Sequence, residues 1–110
     1  MLEARLRTEP AGDRVAFEFT VSNADDQPVD LRFRDACRAD VAVLADGEEL
    51  WRWSDGRMFT QAVEESQLNP GESATFEFEW PDAEPGRYRA VGELRLLDKE
   101  CTAEADVRVE

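Results

Sequence analysis

Histidine is absent from this chain, and lysine occurs once, at Lys99, beside 12 arginines. Without histidine there is no Ser–His or Cys–His nucleophile pair and no imidazole general base. The two cysteines, Cys37 and Cys101, lie far apart. Two Cys and no His cannot supply the usual four N/S ligands of a zinc site. In a reducing cytoplasm they are expected as buried free thiols, a disulfide being the alternative. Long apolar runs are missing too, none approaching the ~20 residues of a membrane helix. The opening Met1-Leu2-Glu3-Ala4-Arg5 has neither the basic nor the apolar part of a secretory signal. A cytoplasmic protein, not bound to membranes, is the expectation. Ser54 sits in Trp53-Ser54-Asp55-Gly56, which lacks the Gly-x-Ser-x-Gly spacing of a nucleophile elbow. No glycine-rich phosphate loop is present. No catalytic residue, cofactor or metal is therefore assigned, and the chain reads as a binding protein, not an enzyme.

What the chain has in excess is acid. Asp and Glu total 26 against 13 Lys and Arg, a formal net charge of -13. So many carboxylates on a small body repel one another and oppose folding. Salt shortens that repulsion to a range of ~3 Å at 1 M, against ~8 Å at 0.15 M. An acidic, almost lysine-free surface thus suits a salt-loaded cytoplasm. It also argues against nucleic acid, which needs a basic patch to displace counterions. Arg32, Arg34 and Arg38 cluster, as do Arg87 and Arg89, but acids interleave with them. Asn23, Asp25, Asp26 and Asp30 gather oxygen ligands in one loop, at spacings unlike those of a calcium loop. A solvated loop is the plainer reading there.

Period-2 alternation runs through most of the chain, the mark of half-buried strands. Val15, Phe17, Phe19 and Val21 alternate with polar or small residues, as do Val29, Leu31 and Phe33. Val41 and Val43 begin another strand, and Asp46-Gly47 signals a hairpin back through Trp53. Arg57 to Thr60 reads as a short strand, and 61–67 as mixed helical and irregular. Ala74, Phe76, Phe78 and Trp80 share a face, as do Tyr88, Ala90, Gly92, Leu94 and Leu96, with Gly92 a candidate bulge. Cys101, Ala103, Ala105, Val107 and Val109 form a last strand, and Leu2, Ala4 and Leu6 suggest a first. The pattern predicts one all-β domain over 1–110, an antiparallel immunoglobulin-like β-sandwich of about seven to eight strands. A small barrel is the alternative.

The densest stretch is 50–61, Leu-Trp-Arg-Trp-Ser-Asp-Gly-Arg-Met-Phe-Thr-Gln. On a strand Trp51 and Trp53 share a face, and each ring can bury ~150–250 Å², so both are expected to anchor the core. The turn after them, Ser54, Asp55, Gly56, Arg57, Met58 and Phe59, is left as the candidate partner-binding loop. Asp82 to Pro85 is the second candidate.

Several segments in order carry a resemblance. They are Phe17-Glu18-Phe19-Thr20-Val21-Ser22-Asn23, Val29-Asp30-Leu31-Arg32-Phe33, Asp46-Gly47 running on to Trp51-Arg52-Trp53-Ser54, Arg57 to Ala62, Pro70-Gly71 and Pro85-Gly86-Arg87-Tyr88. From Val15 to about Leu94 the chain resembles the BsuPI-type intracellular proteinase inhibitors. The acidity departs from an ordinary bacterial member and suggests a haloarchaeal one. The resemblance implies an immunoglobulin-like sandwich and inhibition of an intracellular subtilisin-type serine protease through protein–protein contact. It brings no family inhibitory residue with it. An interaction module of the same fold without inhibitory activity is the alternative.

The charge reading has a direct test: the melting temperature is expected to rise strongly between 0.1 M and 2 M KCl (on the order of the salts that change the screening length), and a salt-independent melt would sink it.

Overall fold

The computed structural model describes residues 1–110 as nine β-strands, all paired antiparallel, with no helix. In chain order these are β1 (Leu2–Ala11), β2 (Arg14–Asn23), β3 (Val29–Phe33), β4 (Ala39–Ala45), β5 (Glu48–Arg52), β6 (Glu64–Leu68), β7 (Ser73–Trp80), β8 (Gly86–Leu94) and β9 (Thr102–Val109). They form a β1-β2-β7 sheet, a β5-β4-β8-β9 sheet and a short β3-β6 pair. The two larger sheets pack their apolar faces together and, with Leu31, Phe33 and Leu68 of the β3-β6 pair, supply most of a core cluster of 20 buried residues.

The alternation in the sequence is what builds that core. Val15, Phe17, Phe19 and Val21 of β2 are at most 2% exposed, while their neighbours face outward. Opposite them β8 contributes Ala90 and Leu94, and β9 contributes Val107 and Val109. The β4–β5 hairpin turns at Asp46 (φ 51°) and Gly47 (φ 83°). Positive φ at both central residues is the type I′ geometry that matches strand twist, and glycine takes it without steric cost. The Asn69-Pro70-Gly71-Glu72 turn closes with the Glu72 N–H donating to the Asn69 carbonyl at 3.0 Å.

One side of the sandwich is closed by β1 against β9, where the Thr8 hydroxyl donates to the Asp106 carbonyl at 3.4 Å. Aromatic rings span both sheets elsewhere. Trp51 stacks on Phe17 at 6.4 Å and on Trp80 at 6.1 Å, and Trp80 meets Tyr88 edge-on at 5.0 Å. Trp53 meets Phe78 edge-on, also at 5.0 Å. Offset and edge-to-face pairs of this kind add ~0.5–1.5 kcal/mol each beyond their buried area. Both tryptophans are half-buried against the core, as their shared face suggested.

Four details differ from the expectation. The strand count is nine. Residues 57–60 form no strand, while part of 61–67 does: β6 pairs with β3. Its sequence Glu64-Glu65-Ser66-Gln67-Leu68 buries only Leu68, so a polar edge strand leaves no alternation to read. The long strand stops at Leu94, and Leu96 makes a single bridge to Phe33. Gly92 is not a bulge, since its pairing continues to Val41 on one side and Ala103 on the other. It is a gap for Phe19: a Cβ there would lie 2.7 Å from Phe19 Cδ1. The irregularity falls in β5 instead, where Val43 pairs Trp51 and Leu44 pairs Glu49, leaving Leu50 unpaired and 57% exposed.

Gly92→Ala is therefore expected to lower stability by about 1–3 kcal/mol through overpacking against a fully buried ring, measured by urea denaturation; an unchanged midpoint would show that Phe19 can yield.

Candidate functional site

Where β5 ends, the chain must leave the sheet, and a buried carboxylate fixes how. Asp40 of β4 is fully buried, the one acid in the apolar run Ala39-Asp40-Val41-Ala42-Val43. Its Oδ1 accepts the Val41 N–H at 2.9 Å and the Ser54 N–H at 3.1 Å. Its Oδ2 accepts the Ser54 hydroxyl at 2.5 Å and the Arg52 guanidinium at 3.1 Å. A buried charge is tolerable only when paired and fully hydrogen-bonded, and Asp40 meets both conditions. Arg52 also binds Glu49 at 2.7 Å and Glu93 at 3.4 Å. Its guanidinium is stabilised in the charged form first by Glu49 and then by Asp40, against the cost of partial burial. Arg95 lies 3.8 Å from each of Asp35, Asp40 and Glu93, and its Nε is buried without a partner.

Ser54 is thus half-buried and committed to Asp40, at the entry of the loop it begins. Asp55 and Gly56 are exposed in the turn, where the Asp55 N–H donates to the Arg52 carbonyl at 3.1 Å. Residues 57–63 then run outside the strands to β6. Arg57 folds back: its Nε donates to the Trp53 carbonyl at 2.9 Å and its guanidinium lies 4.2 Å from the Trp53 ring centroid. Phe59 folds back on the same indole, 6.0 Å away, and is half-buried. The next carbonyl, of Thr60, accepts the Ala36 N–H at 2.9 Å. Met58 stands between the two anchored residues and is 98% exposed. Two of the six candidate residues, Ser54 and Phe59, thus face the body, and Arg57 lies over Trp53. Asp55, Gly56 and Met58 face solvent.

The second candidate loop is held more tightly. Ala83 is buried and its N–H donates to the Asp13 carbonyl at 2.7 Å, while the Glu84 carbonyl accepts the Tyr88 hydroxyl at 2.6 Å. Of its apolar side chains Ala83 is buried and Pro85 is exposed. Asn23, a candidate cation ligand, is buried with its amide donating to the Gln27 and Leu68 carbonyls at 2.8 and 2.9 Å. Its oxygen accepts the Asp25 N–H at 2.9 Å, so it organises the turn. Cys37 and Cys101 are buried free thiols. Burial and then the Asp40 charge push Cys37 up to about 11, and burial raises Cys101, which keeps both protonated and unreactive at neutral pH.

Sequence reasoning did not single out Asp40 or the clamp made by Trp53. A lone acid inside five otherwise apolar strand residues was the available signal for the first. Asp40→Ala is expected to cost about 3 kcal/mol, the low end for breaking a buried pair, because Arg52 keeps Glu49 and Glu93; chemical denaturation measures this, and a loss below about 1 kcal/mol, that of an ordinary hydrogen bond, would contradict the role.

The family model for BsuPI, the intracellular proteinase inhibitor, matches residues 2–99. No curated protein matches the chain. Among solved structures it is similar to Spo0M, a sporulation control protein from Bacillus subtilis, at 15% identity and a TM-score of 0.60, covering 99% of this chain and 49% of that one. The chain thus spans about half the length of Spo0M. The CARDB domain of PF1109 from Pyrococcus furiosus matches at 18% identity and a TM-score of 0.54, covering 99% and 92%. A β-glucosidase from Kluyveromyces marxianus matches at 17% identity and a TM-score of 0.56, with 100% of this chain covering 14% of that enzyme. At these identities the likeness is one of fold, a β-sandwich, and the glucosidase match is to a small part of that enzyme. The family is one of inhibitors rather than catalysts. With nearly all of its length matched, the chain belongs to the BsuPI family of intracellular proteinase inhibitors.

Proposed function

We propose that this protein inhibits an intracellular serine protease of subtilisin type, in a salt-rich cytoplasm of the haloarchaeal kind, through the exposed loop formed by Ser54, Asp55, Gly56, Arg57, Met58 and Phe59. In this reading the whole chain, 1–110, acts as one domain. Family membership supports inhibition of a proteinase. The observation that carries the choice of loop is its construction: a segment outside the sheets, exposed at its centre, and tied at its ends by Asp40 to Ser54 and by Trp53 to Phe59. A loop already held in one shape loses little conformational entropy on binding, and pre-organised inhibitors move little on docking. A protease cleft accepts an extended segment of this kind, with ~1,600 Å² buried in total in a standard complex.

The salt setting rests on the surface charge. Glu18 of β2 and Glu77 of β7 are directly opposite, and Arg7 reaches only Glu18, at 3.8 Å. Like charges opposed across a ladder are destabilising in dilute salt. They are tolerable where screening is strong.

A second reading, an interaction module without inhibitory activity, draws on a groove of about 380 Å³ beside β7. Trp53, Phe59, Phe76 and Phe78 contribute to its lining.

Replacing residues 55–58 with Gly-Ser-Gly-Ser, keeping Ser54 and Phe59, separates the two readings. In high KCl the unaltered protein is expected to inhibit a subtilisin-type protease stoichiometrically, and the replacement to lose about 100-fold in affinity. Slow cleavage of the unaltered chain without a stable complex would favour the second reading.

A further inference from the structure

We infer that Met58 is the primary anchor of the inhibitory loop, the single side chain inserted into the protease's main specificity pocket, and that the target is accordingly a protease with a deep, uncharged, apolar pocket. This rests on the inhibitor reading and adds to it the residue that sets specificity.

Three features converge on Met58. It is the most exposed of the exposed large hydrophobic residues, at 98%, above Met1 at 72% and Leu50 at 57%. Its neighbours on both sides are folded onto one indole, Arg57 with its guanidinium 4.2 Å from the Trp53 ring and Phe59 with its ring at 6.0 Å. Trp53 in turn packs on Phe78 of the core at 5.0 Å. With both neighbours turned back onto the body, the intervening side chain is the one projected away from it. An isolated exposed methionine needs no explanation by itself. One held between two anchored residues is presented.

The chemistry of the side chain selects the pocket. Methionine is unbranched and uncharged, with a polarisable sulfur, so it fits a narrow apolar slot. It carries no cation to meet an acidic pocket floor of the trypsin kind. Asp55 and Arg57, both just before it in the loop, carry opposite charges. The loop itself thus adds little net charge to an otherwise acidic surface, which suits an apolar cleft.

The same clamp accounts for inhibition in place of turnover. Attack by the protease serine oxygen on the Met58 carbonyl carbon forms a C–O bond and breaks the Met58–Phe59 C–N bond. The serine proton passes through the protease's histidine to the Phe59 nitrogen. The freed Phe59 amine belongs to a residue still packed on Trp53, and Thr60 remains hydrogen-bonded to Ala36 at 2.9 Å. The amine therefore stays beside the acyl carbon and attacks it, reforming the C–N bond as the serine C–O bond breaks and the proton returns through the histidine to the serine oxygen, faster than water hydrolyses the ester.

The test is a Met58 series assayed in 1 M KCl, on the order of the salt needed for strong screening, against a subtilisin-type protease with an apolar pocket and a trypsin-type protease with an acidic one. Met58→Leu is expected within about fivefold of the parent on the first enzyme, and Met58→Asp to lose about 30-fold, the scale of a hot-spot side chain. Met58→Lys is expected to lose on the first enzyme and to gain inhibition of the second. Melting temperatures should stay unchanged, since the side chain touches little. Full inhibition of the first enzyme by Met58→Asp would overturn Met58 as anchor while leaving the inhibitor reading intact. No inhibition of either protease by the parent would overturn both.

Discussion

Asp40 is the group on which the architecture of the loop end depends. It brings a full negative charge into a strand that is otherwise apolar on both faces. Its hydrogen bonds reach three parts of the chain: its own strand at Val41, the end of β5 at Arg52, and the first loop residue at Ser54. Such a site is seldom a net source of stability compared with an apolar one of equal volume. What it supplies is direction. A hydrophobic side chain at this position would pack, but it would not specify where Ser54 must sit. The exit of the chain from β5 is consequently set by hydrogen-bond geometry, which is angular, and not by burial, which is not.

The aromatic rings take over where the carboxylate leaves off. Trp51 joins the two sheets through Phe17 and Trp80, and Trp53 joins the core to the loop through Phe78, Phe59 and Arg57. Neighbouring tryptophans two residues apart thus serve different ends. One closes the sandwich, and the other transfers the rigidity of the sandwich to a segment that has no ladder hydrogen bonds of its own.

The fold was largely legible because β2, β7 and β9 bury one face and alternate cleanly, and because Asp46-Gly47 can turn in few ways. β6 was not, because an edge strand that buries only Leu68 is free to be polar over the rest of its length. Gly92 was misread for a similar reason: a missing side chain is visible in sequence, but the ring that needs the space, Phe19, is 73 positions away. For the candidate site, the turn residues could be read from Ser54-Asp55-Gly56. Their division into committed and presented groups could not, since it follows from contacts to Asp40 and Trp53 that no local pattern records. Among 26 acids, the one that matters for the turn is the one that is buried, and its apolar neighbours Ala39, Val41, Ala42 and Val43 are the sole mark it leaves in the sequence.

The unpaired Leu50 has a consequence for all of this. Side chains along a strand alternate between faces, so one additional residue acts as a half-period phase shift. Continuing the Leu44–Glu49 pairing without it would set Leu50 opposite Val43 and Trp51 opposite Ala42. The leucine would then enter the core and the tryptophan would leave it. With the shift, Trp51 lies opposite the buried Val43, and Arg52 lies opposite Ala42, on the side of the strand that carries Asp40. A single residue out of register thereby sets the phase of the rest of β5, sending the Trp51 indole inward and the Arg52 guanidinium to its carboxylate.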